Sequence, residues 1–436
     1  MHDIQLGLIG FGTIGTGVVR LLQQNGTLLE EKTGARLVLK RVADLDTVRD
    51  RGVSLSPGVL TADAAQVIDD PDISVVIELI GGYEPARSFV LRAIENGKHV
   101  VTANKALLAL HGEEIYAAAA CKGVEVLYEA AVAGGIPVLS AIKGNLAGNS
   151  FSTVLGILNG TCNYILSRMT KEGADFGAVL QDAQKLGYAE ADPTFDIEGV
   201  DTAHKLCLLL SLCFGTRVDF REIHTEGITS ISALDITFAR DFGYRIKLLA
   251  IGKLDGDRIE ARVHPTMIPD HYPLADVDGA FNAIRLMGDF VGPVMFYGRG
   301  AGMDPTASAV MGDVIDVSRN LLAGIGRRCA PLSYLDDRVR TLPIKPMGEI
   351  VSKFFLRFSA QDKPGVLARI AGALGSNNIS IESMLQQGRG QGEPVPIVIM
   401  THEAREDDVR HALAEIDAFD LIQEKTRLIR IEDNLE

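Results

Sequence analysis

Short apolar runs alternate with amphipathic, helix-length segments through the first third of the chain. Residues 4–9 (Ile-Gln-Leu-Gly-Leu-Ile) read as a short buried strand, and residues 18–22 as part of the helix that follows. Residues 26–34, bounded by glycines, read as lengthening the connection from that helix to a second strand at 37–43. A third strand is expected at 75–79, then a helix over 85–96 closed by Gly97, a residue suited to the left-handed end of a helix. Further strands are expected at 100–102 and 124–128. This order predicts an α/β fold that begins with a Rossmann-type, doubly wound parallel sheet, with helices on both faces.

The rhythm changes near residue 130. Long helical stretches over 161–186 and 200–212 precede strand-like segments at 247–254 and 258–263, the pattern of an α+β domain. Residues 298–303 are glycine-rich, and Pro305-Thr306 opens a helix that runs to about residue 322. Residues 331–347 carry three prolines and several charges and read as a linker. Beyond it come a strand (354–360), a helix (364–376), two strands (379–386 and 395–400), a helix (403–415) and a strand (421–431). That βαββαβ order is a ferredoxin-like unit.

A chain of 436 residues is too long for one ordinary core. Its 47% hydrophobic and 23% charged residues are the balance of a globular protein. The net charge of -14, with no basic cluster, argues against nucleic acid as a partner. The apolar run 206–214 is too short to cross a bilayer. The start, Met1-His2-Asp3, lacks the features of a signal peptide, and the five scattered cysteines form neither a zinc pattern nor a disulfide framework. A reduced, cytoplasmic protein is expected, with Cys207 and Cys213 as small core residues.

Gly10-Phe11-Gly12-Thr13-Ile14-Gly15 follows the first strand and opens a helix. The first glycine permits the tight turn, the second lets backbone approach a pyrophosphate, and the third lets helix pack on strand. The helix start adds unpaired N–H groups and positive partial charge. Asp44 stands at the end of the second strand, where an acid binds the adenosine ribose of NAD and repels the extra phosphate of NADP. Lys40 and Arg41 precede it and would soften that repulsion, so the residues favour NAD and leave NADP open.

Thr102-Ala103-Asn104-Lys105 follows a strand expected to end at the carboxyl edge of the sheet, where ligands bind in such folds. Lys105 would start a helix, where its charge opposes the dipole, so a functional reason is favoured over a surface lysine. Residues 187–196 and 201–205 contain Gly187, Glu190, Asp196, Asp201 and Lys205. Asp201 and Lys205 share one helix face, either as a surface ion pair or, because the next turns are apolar, as a buried and tuned one. His204 reads as a packed histidine. The small residues of 129–137 read as an interdomain turn, or as carbonyls crowded around a monovalent cation.

These stretches, with residues 156–163 and 300–302, together resemble bacterial homoserine dehydrogenases over essentially the whole chain. Asp362-Lys363-Pro364-Gly365-Val366-Leu367 resembles the strand-to-helix turn of an ACT domain, an amino-acid-binding regulatory fold. The resemblance implies a dinucleotide-binding domain over 1–130 completed by a returning helix near 304–325. It implies a catalytic and dimerisation domain over 131–303, a linker over 331–350 and an ACT domain over 351–436. It further implies reversible conversion of L-homoserine and L-aspartate 4-semialdehyde with NADP or NAD, in threonine, methionine and isoleucine biosynthesis.

Lys205 matches the family's acid/base lysine and Lys105 a second essential lysine. Gly187, Glu190, Asp196 and Asp201 match substrate-binding positions. Gly10 to Gly15, Asp44, Thr102, Lys105 and Gly302 match cofactor positions. Glu129, Val132, Gly134 and Ile136 match a sodium- or potassium-type site. Where many relatives carry an arginine for the NADP phosphate, this chain has Asp44-Leu45-Asp46, which argues against strict NADP dependence. Feedback by L-threonine and a homodimer or homotetramer are the expected partners' side of the picture. The alternatives are another amino-acid or semialdehyde dehydrogenase on this scaffold, or a non-catalytic sensor of dinucleotide and amino acid.

Overall fold

The computed structural model describes residues 2–386 and 394–434. Met1, residues 387–393 and Leu435-Glu436, which the expected terminal domains include, lie outside the described residues. The chain forms two compact units. The first runs up to Gly160 and takes in Asp201–Ile223 and Ala280–Leu342; the second holds Thr161–Val200, His224–Gly279 and the chain from Pro343 onward.

The first unit is built on β1 (His2–Ile9), α1 (Thr13–Thr33), β2 (Ala35–Ala43), β3 (Leu60–Thr61), α2 (Ala65–Ile68), β4 (Val75–Glu78), α3 (Ala86–Glu95), β5 (His99–Thr102), α4 (Lys105–Lys122) and β6 (Val126–Leu127). The six strands are parallel in the order β3-β2-β1-β4-β5-β6. Leu6, Leu8, Val75, Ile77 and Val101 are fully buried, as near-continuous apolar strands between two helix layers require. The order reverses between β1 and β4, so the loops that follow these strands diverge and open a crevice at the carboxyl edge.

Residues 26–34, expected to lengthen the connection after the helix, instead lengthen the helix itself. They belong to α1, which ends at Gly34 in the left-handed region (φ 79°), its N–H bonded to Glu30 O. Gly26 costs the helix about 1 kcal/mol, and burial of Val18, Val19 and Leu29 outweighs it. The strand expected at 124–128 shrinks to β6, because the chain turns at Tyr128 into the 3₁₀ turn Glu129–Ala131. The Tyr128 hydroxyl donates to Pro331 O at 2.7 Å.

A helix over Met303–Leu322 returns to this core through Ala307, Val310, Met311, Val314 and Val317. It lies so close to α1 that a Cβ on Gly17 would stand 2.9 Å from Met303 O. It begins two residues before the expected Pro305, which sits in the first turn, where a missing N–H costs nothing. After α5 (Val138–Lys143) comes β7 (Phe151–Ile157), antiparallel to Phe281–Gly288, itself paired with Gly292–Arg299. These three strands have no counterpart in the sequence reading; in Phe281–Gly288 the buried polar Asn282 and Arg285 blur the alternation.

In the second unit, the single helix expected over 161–186 is two, Gly160–Glu172 and Phe176–Lys185. Gly173, at φ 65°, ends the first. Strands Tyr244–Asp255 and Arg258–Pro269 form an antiparallel hairpin longer than expected. The C-terminal part runs Val351–Gln361, Val366–Ser376, Ile381–Gln386, Pro394–Thr401, Glu406–Asp417 and Ile422–Ile431, the anticipated βαββαβ order. Its antiparallel sheet and two helices enclose Phe354, Leu356, Phe358, Ile370, Leu374 and Ile416. The helix expected from Pro364 starts at Val366, because Gly365 takes the left-handed region at φ 89°. Residues 331–350 hold the 3₁₀ turns Asp336–Arg338 and Met347–Glu349 and two isolated bridges, Arg340 to Thr216 and Ile344 to Ile259, with Arg340 N–H bonded to Gly215 O and Lys345 N–H to Ile259 O. Among the described residues, no helix is long and apolar enough to cross a membrane.

Candidate active site

The glycine loop joins β1 to α1. Gly10 has φ 99°, and a Cβ there would lie 2.7 Å from Leu79 C and O, in the loop after β4. A Cβ on Gly15 would lie 2.2 Å from Gly10 O, so the third glycine closes the turn on itself. Gly12 differs: a Cβ on it would meet nothing within 4 Å, and it begins α1 without a side-chain cap. The first N–H groups of α1 have no partner within the helix, and the space over Gly12 is open, an arrangement suited to a pyrophosphate.

Asp44 stands at the carboxyl end of β2 with its charge already engaged. Phe11 N–H donates to Oδ2 at 2.6 Å and Asp46 N–H to Oδ1 at 2.8 Å. The Arg51 guanidinium lies 3.4 Å from Oδ1, donates to Phe11 O at 2.5 Å and covers the Phe11 ring. The sequence reading missed Arg51; its only signal was a pair of arginines, Arg49 and Arg51, after an acidic turn. Lys40 and Arg41, read as neighbours of Asp44, point elsewhere: Lys40 pairs with Asp70 and Asp72, and Arg41 bonds Gly58 O. A cleft of about 300 Å³ lies alongside, lined by Phe11, Arg49, Arg51, Val53, Pro57 and Leu60.

Asp201 and Lys205 lie one turn apart on the helix Val200–Phe214. Lys205 Nζ donates to Asp201 Oδ2 at 2.6 Å and to Leu158 O at 2.7 Å, just beyond β7. Asn159 Nδ2 donates to the same carboxylate oxygen at 3.0 Å. Lys105, first residue of α4, places Nζ 3.2 Å from Oδ1. Burial raises the Asp201 carboxyl's pKa, but the charges of Lys205 and Lys105 overcome this and hold it well below the usual range. The Asp201 side chain is 6% exposed and that of Lys205 11%, whereas that of Lys105 is 33% exposed, so Lys105 alone of the three reaches solvent freely. Beside them His204 stacks on Phe220 at 4.0 Å, and burial lowers its pKa to about 4. Burial likewise pushes the Cys207 thiol up to about 12, as befits a core residue.

Gly187, Glu190 and Asp196 belong to the second unit. Gly187 has φ 76°, Gln184 Nε2 donates to Glu190 O at 3.1 Å, and Thr161 Oγ1 donates to Asp196 Oδ2 at 3.4 Å. The Thr102 hydroxyl is buried and turned toward Glu78. Gly302, at φ 122°, precedes the returning helix.

In the 129–137 turn, Ala133 and Gly134 are both left-handed (φ 55° and 54°), and a Cβ on Gly134 would lie 2.5 Å from Gly300 O. The turn is thus packed closely against the backbone at Gly300. The Glu129 carboxylate is taken by Leu139 N–H and Ser140 N–H at the start of α5, and Ile136 O accepts from Val138 N–H. Among the described residues no group of three or more His, Cys, Asp or Glu is placed to hold a metal.

A homoserine dehydrogenase of Neisseria gonorrhoeae is 43% identical over 432 residues, covering 99% of each chain. The chain belongs to the homoserine dehydrogenase family. The family description "Homoserine dehydrogenase" matches residues 137–315, its NAD-binding domain residues 10–129, and "ACT domain" residues 354–420. A homoserine dehydrogenase of a Synechocystis strain is 45% identical, covering 98% of this chain and 99% of its own. The crystal structure of a homoserine dehydrogenase from Thiobacillus denitrificans superposes with a TM-score of 0.94 at 46% identity over 99% of both chains. The protein is thus a homoserine dehydrogenase, an NAD(P)-dependent oxidoreductase with a C-terminal ACT regulatory domain.

Proposed function

We propose that Lys205 is the proton donor and acceptor of the homoserine–aspartate 4-semialdehyde interconversion, and that Lys105 assists it beside the cofactor. The observation that carries this is the single carboxylate, Asp201, gripped by both lysines. When bound, the nicotinamide supplies or takes the hydride at the substrate carbon that bears the reacting oxygen. As charge builds on that oxygen during reduction, an ammonium stabilises it and delivers a proton. Leu158 O and Asp201 hold two N–H groups of Lys205, leaving the third for the oxygen. In oxidation the amine must first be uncharged, so the oxidative rate rises with pH. Gly187, Glu190, Asp196 and Asp201 would serve the substrate, the carboxylates as acceptors for its ammonium.

Gly10 to Gly15, Asp44, Thr102, Lys105 and Gly302 would hold the dinucleotide. Because Asp44 is bonded to Phe11 N–H and faced by Arg51, its repulsion of a 2′-phosphate is already reduced, which supports NADP as well as NAD. Glu129, Val132, Gly134 and Ile136 would place carbonyls about a sodium or potassium ion. The division into a dinucleotide-binding domain (1–130 with the returning helix), a catalytic domain (131–303), a linker (331–350) and an ACT domain (351–436) completes the reading. So do feedback by threonine, a homodimer or homotetramer, and a cytoplasmic place in threonine, methionine and isoleucine synthesis. The test is homoserine-dependent reduction of NAD and NADP run in parallel, set against other amino-acid alcohols. Equal rates with those alcohols would overturn the substrate assignment.

A further inference from the structure

Glu78 is the last residue of β4 and is fully buried at the carboxyl edge of the sheet. A carboxylate in that position must be matched by donors or be expelled. Its Oε1 accepts from Ile80 N–H at 2.9 Å and Gly81 N–H at 3.3 Å. Its Oε2 accepts from the Thr102 hydroxyl at 2.6 Å. The Thr102 oxygen in turn accepts from Asn104 N–H at 3.0 Å, and Asn104 Nδ2 donates to Gly82 O at 2.8 Å. The bonds close into a ring that ties the turn after β4 to the turn after β5. Asn104 also caps α4, accepting from Leu107 N–H at 3.1 Å, and Lys105 is the next residue. Gly81 and Gly82 are both left-handed (φ 72° and 71°), and the ring holds them there. Burial pushes the Glu78 carboxyl above the usual range, against its bonds to Thr102, Ile80 and Gly81.

We infer that Glu78 is a positioning residue for the reaction, fixing the first turn of α4 so that Lys105 meets Asp201. This rests on the assignment of Lys105 above. A side chain at the carboxyl edge of the sheet that must hold about 1 Å precision is sensitive to such support, and misplacement on that scale costs about 100-fold in rate. Glu78 touches neither lysine, so its effect must travel through the Thr102–Asn104 backbone.

The test is a double-mutant cycle of Glu78→Gln, Glu78→Ala and Lys105→Ala in the full chain, reading kcat, KM for homoserine and dinucleotide binding separately. Expected is a kcat loss of about 100-fold for Glu78→Ala, and a smaller loss of dinucleotide affinity, felt through Thr102 and Lys105 while the glycine loop is untouched. Glu78→Gln should recover at least about tenfold of the loss, because its amide oxygen still accepts from Ile80 and Gly81 while its NH₂ donates to Thr102. The pair Glu78→Ala, Lys105→Ala should be no slower than Lys105→Ala alone. Losses that multiply overturn the inference while leaving Lys105 in its role. A near-parent rate for Lys105→Ala by itself overturns that role, and the inference with it. Should Glu78→Ala fail to fold, Glu78→Gln carries the cycle, and multiplication of its loss with that of Lys105→Ala overturns the inference equally.

Discussion

Lys105 meets Asp201 through Oδ1 at 3.2 Å, the oxygen that Lys205 leaves free when it bonds Oδ2. One buried carboxylate thus fixes two ammonium groups that come from separate elements, α4 and the helix Val200–Phe214. Removing it would leave two lysines facing each other uncompensated.

Lys205→Ala should lower kcat by about 1,000-fold, within the range of a lost acid/base group. Dinucleotide binding, followed by nicotinamide fluorescence, should persist, because no glycine-loop contact involves Lys205. A turnover within tenfold of the parent would remove Lys205 from the chemistry.

Arg51→Ala should raise KM for NADP by about tenfold or more, the worth of one charge-assisted contact, and KM for NAD less. Arg51 stacks on Phe11 and pairs with Asp44, so its loss frees the aspartate's negative charge. Equal changes for both dinucleotides would place Arg51 outside the 2′-phosphate region.

Threonine titrated against initial rate should inhibit the full chain. Asp362→Ala, in the turn before the left-handed Gly365, should raise the inhibitory concentration by about tenfold, the effect of one lost hydrogen bond to a charged ligand. No inhibition of the parent at any concentration would remove threonine as the effector. Truncation is a poor substitute for the point variant. Arg430 of the last strand is buried against Glu406 and Glu226, and Thr266 pairs with Arg430 across the sheet, so deletion would strip a charged network as well as the proposed effector site.

Acid should destabilise the fold well before Asp201, whose carboxyl the two lysines hold low, is protonated. His204 and His264 are both buried, and burial holds the pKa of each below the ordinary value, that of His204 at about 4. The unfolded chain binds these protons near pH 6.5 and the folded chain does not. Their contribution is therefore present above about pH 6.5 and lost as pH falls toward 4. In thermal melts, His204→Phe, which keeps a ring against Phe220, should lose less stability than the parent between pH 7 and pH 4.5. Parallel curves would show that His204 carries no part of the acid response.

The chain's local chemistry settled a good deal. The glycine spacing of residues 10–15 placed a strand-to-helix turn and its exposed N–H groups, because only a residue without Cβ fits Gly10 and Gly15. The alternation over 354–431 placed the βαββαβ unit, and the interval from Asp201 to Lys205 put both on one helix face, since helical period is a local property. Distances between remote segments are not local. That Lys105 reaches the far oxygen of Asp201, that Arg51 and not Lys40 faces Asp44, and that Glu78 ties two loops together were decided by how the sheet stacks its strand ends. The same holds where local signals misled: Gly26 lies inside α1 and strand Phe281–Gly288 carries buried Asn282 and Arg285, because burial against neighbours far along the chain outweighs the propensity of single residues.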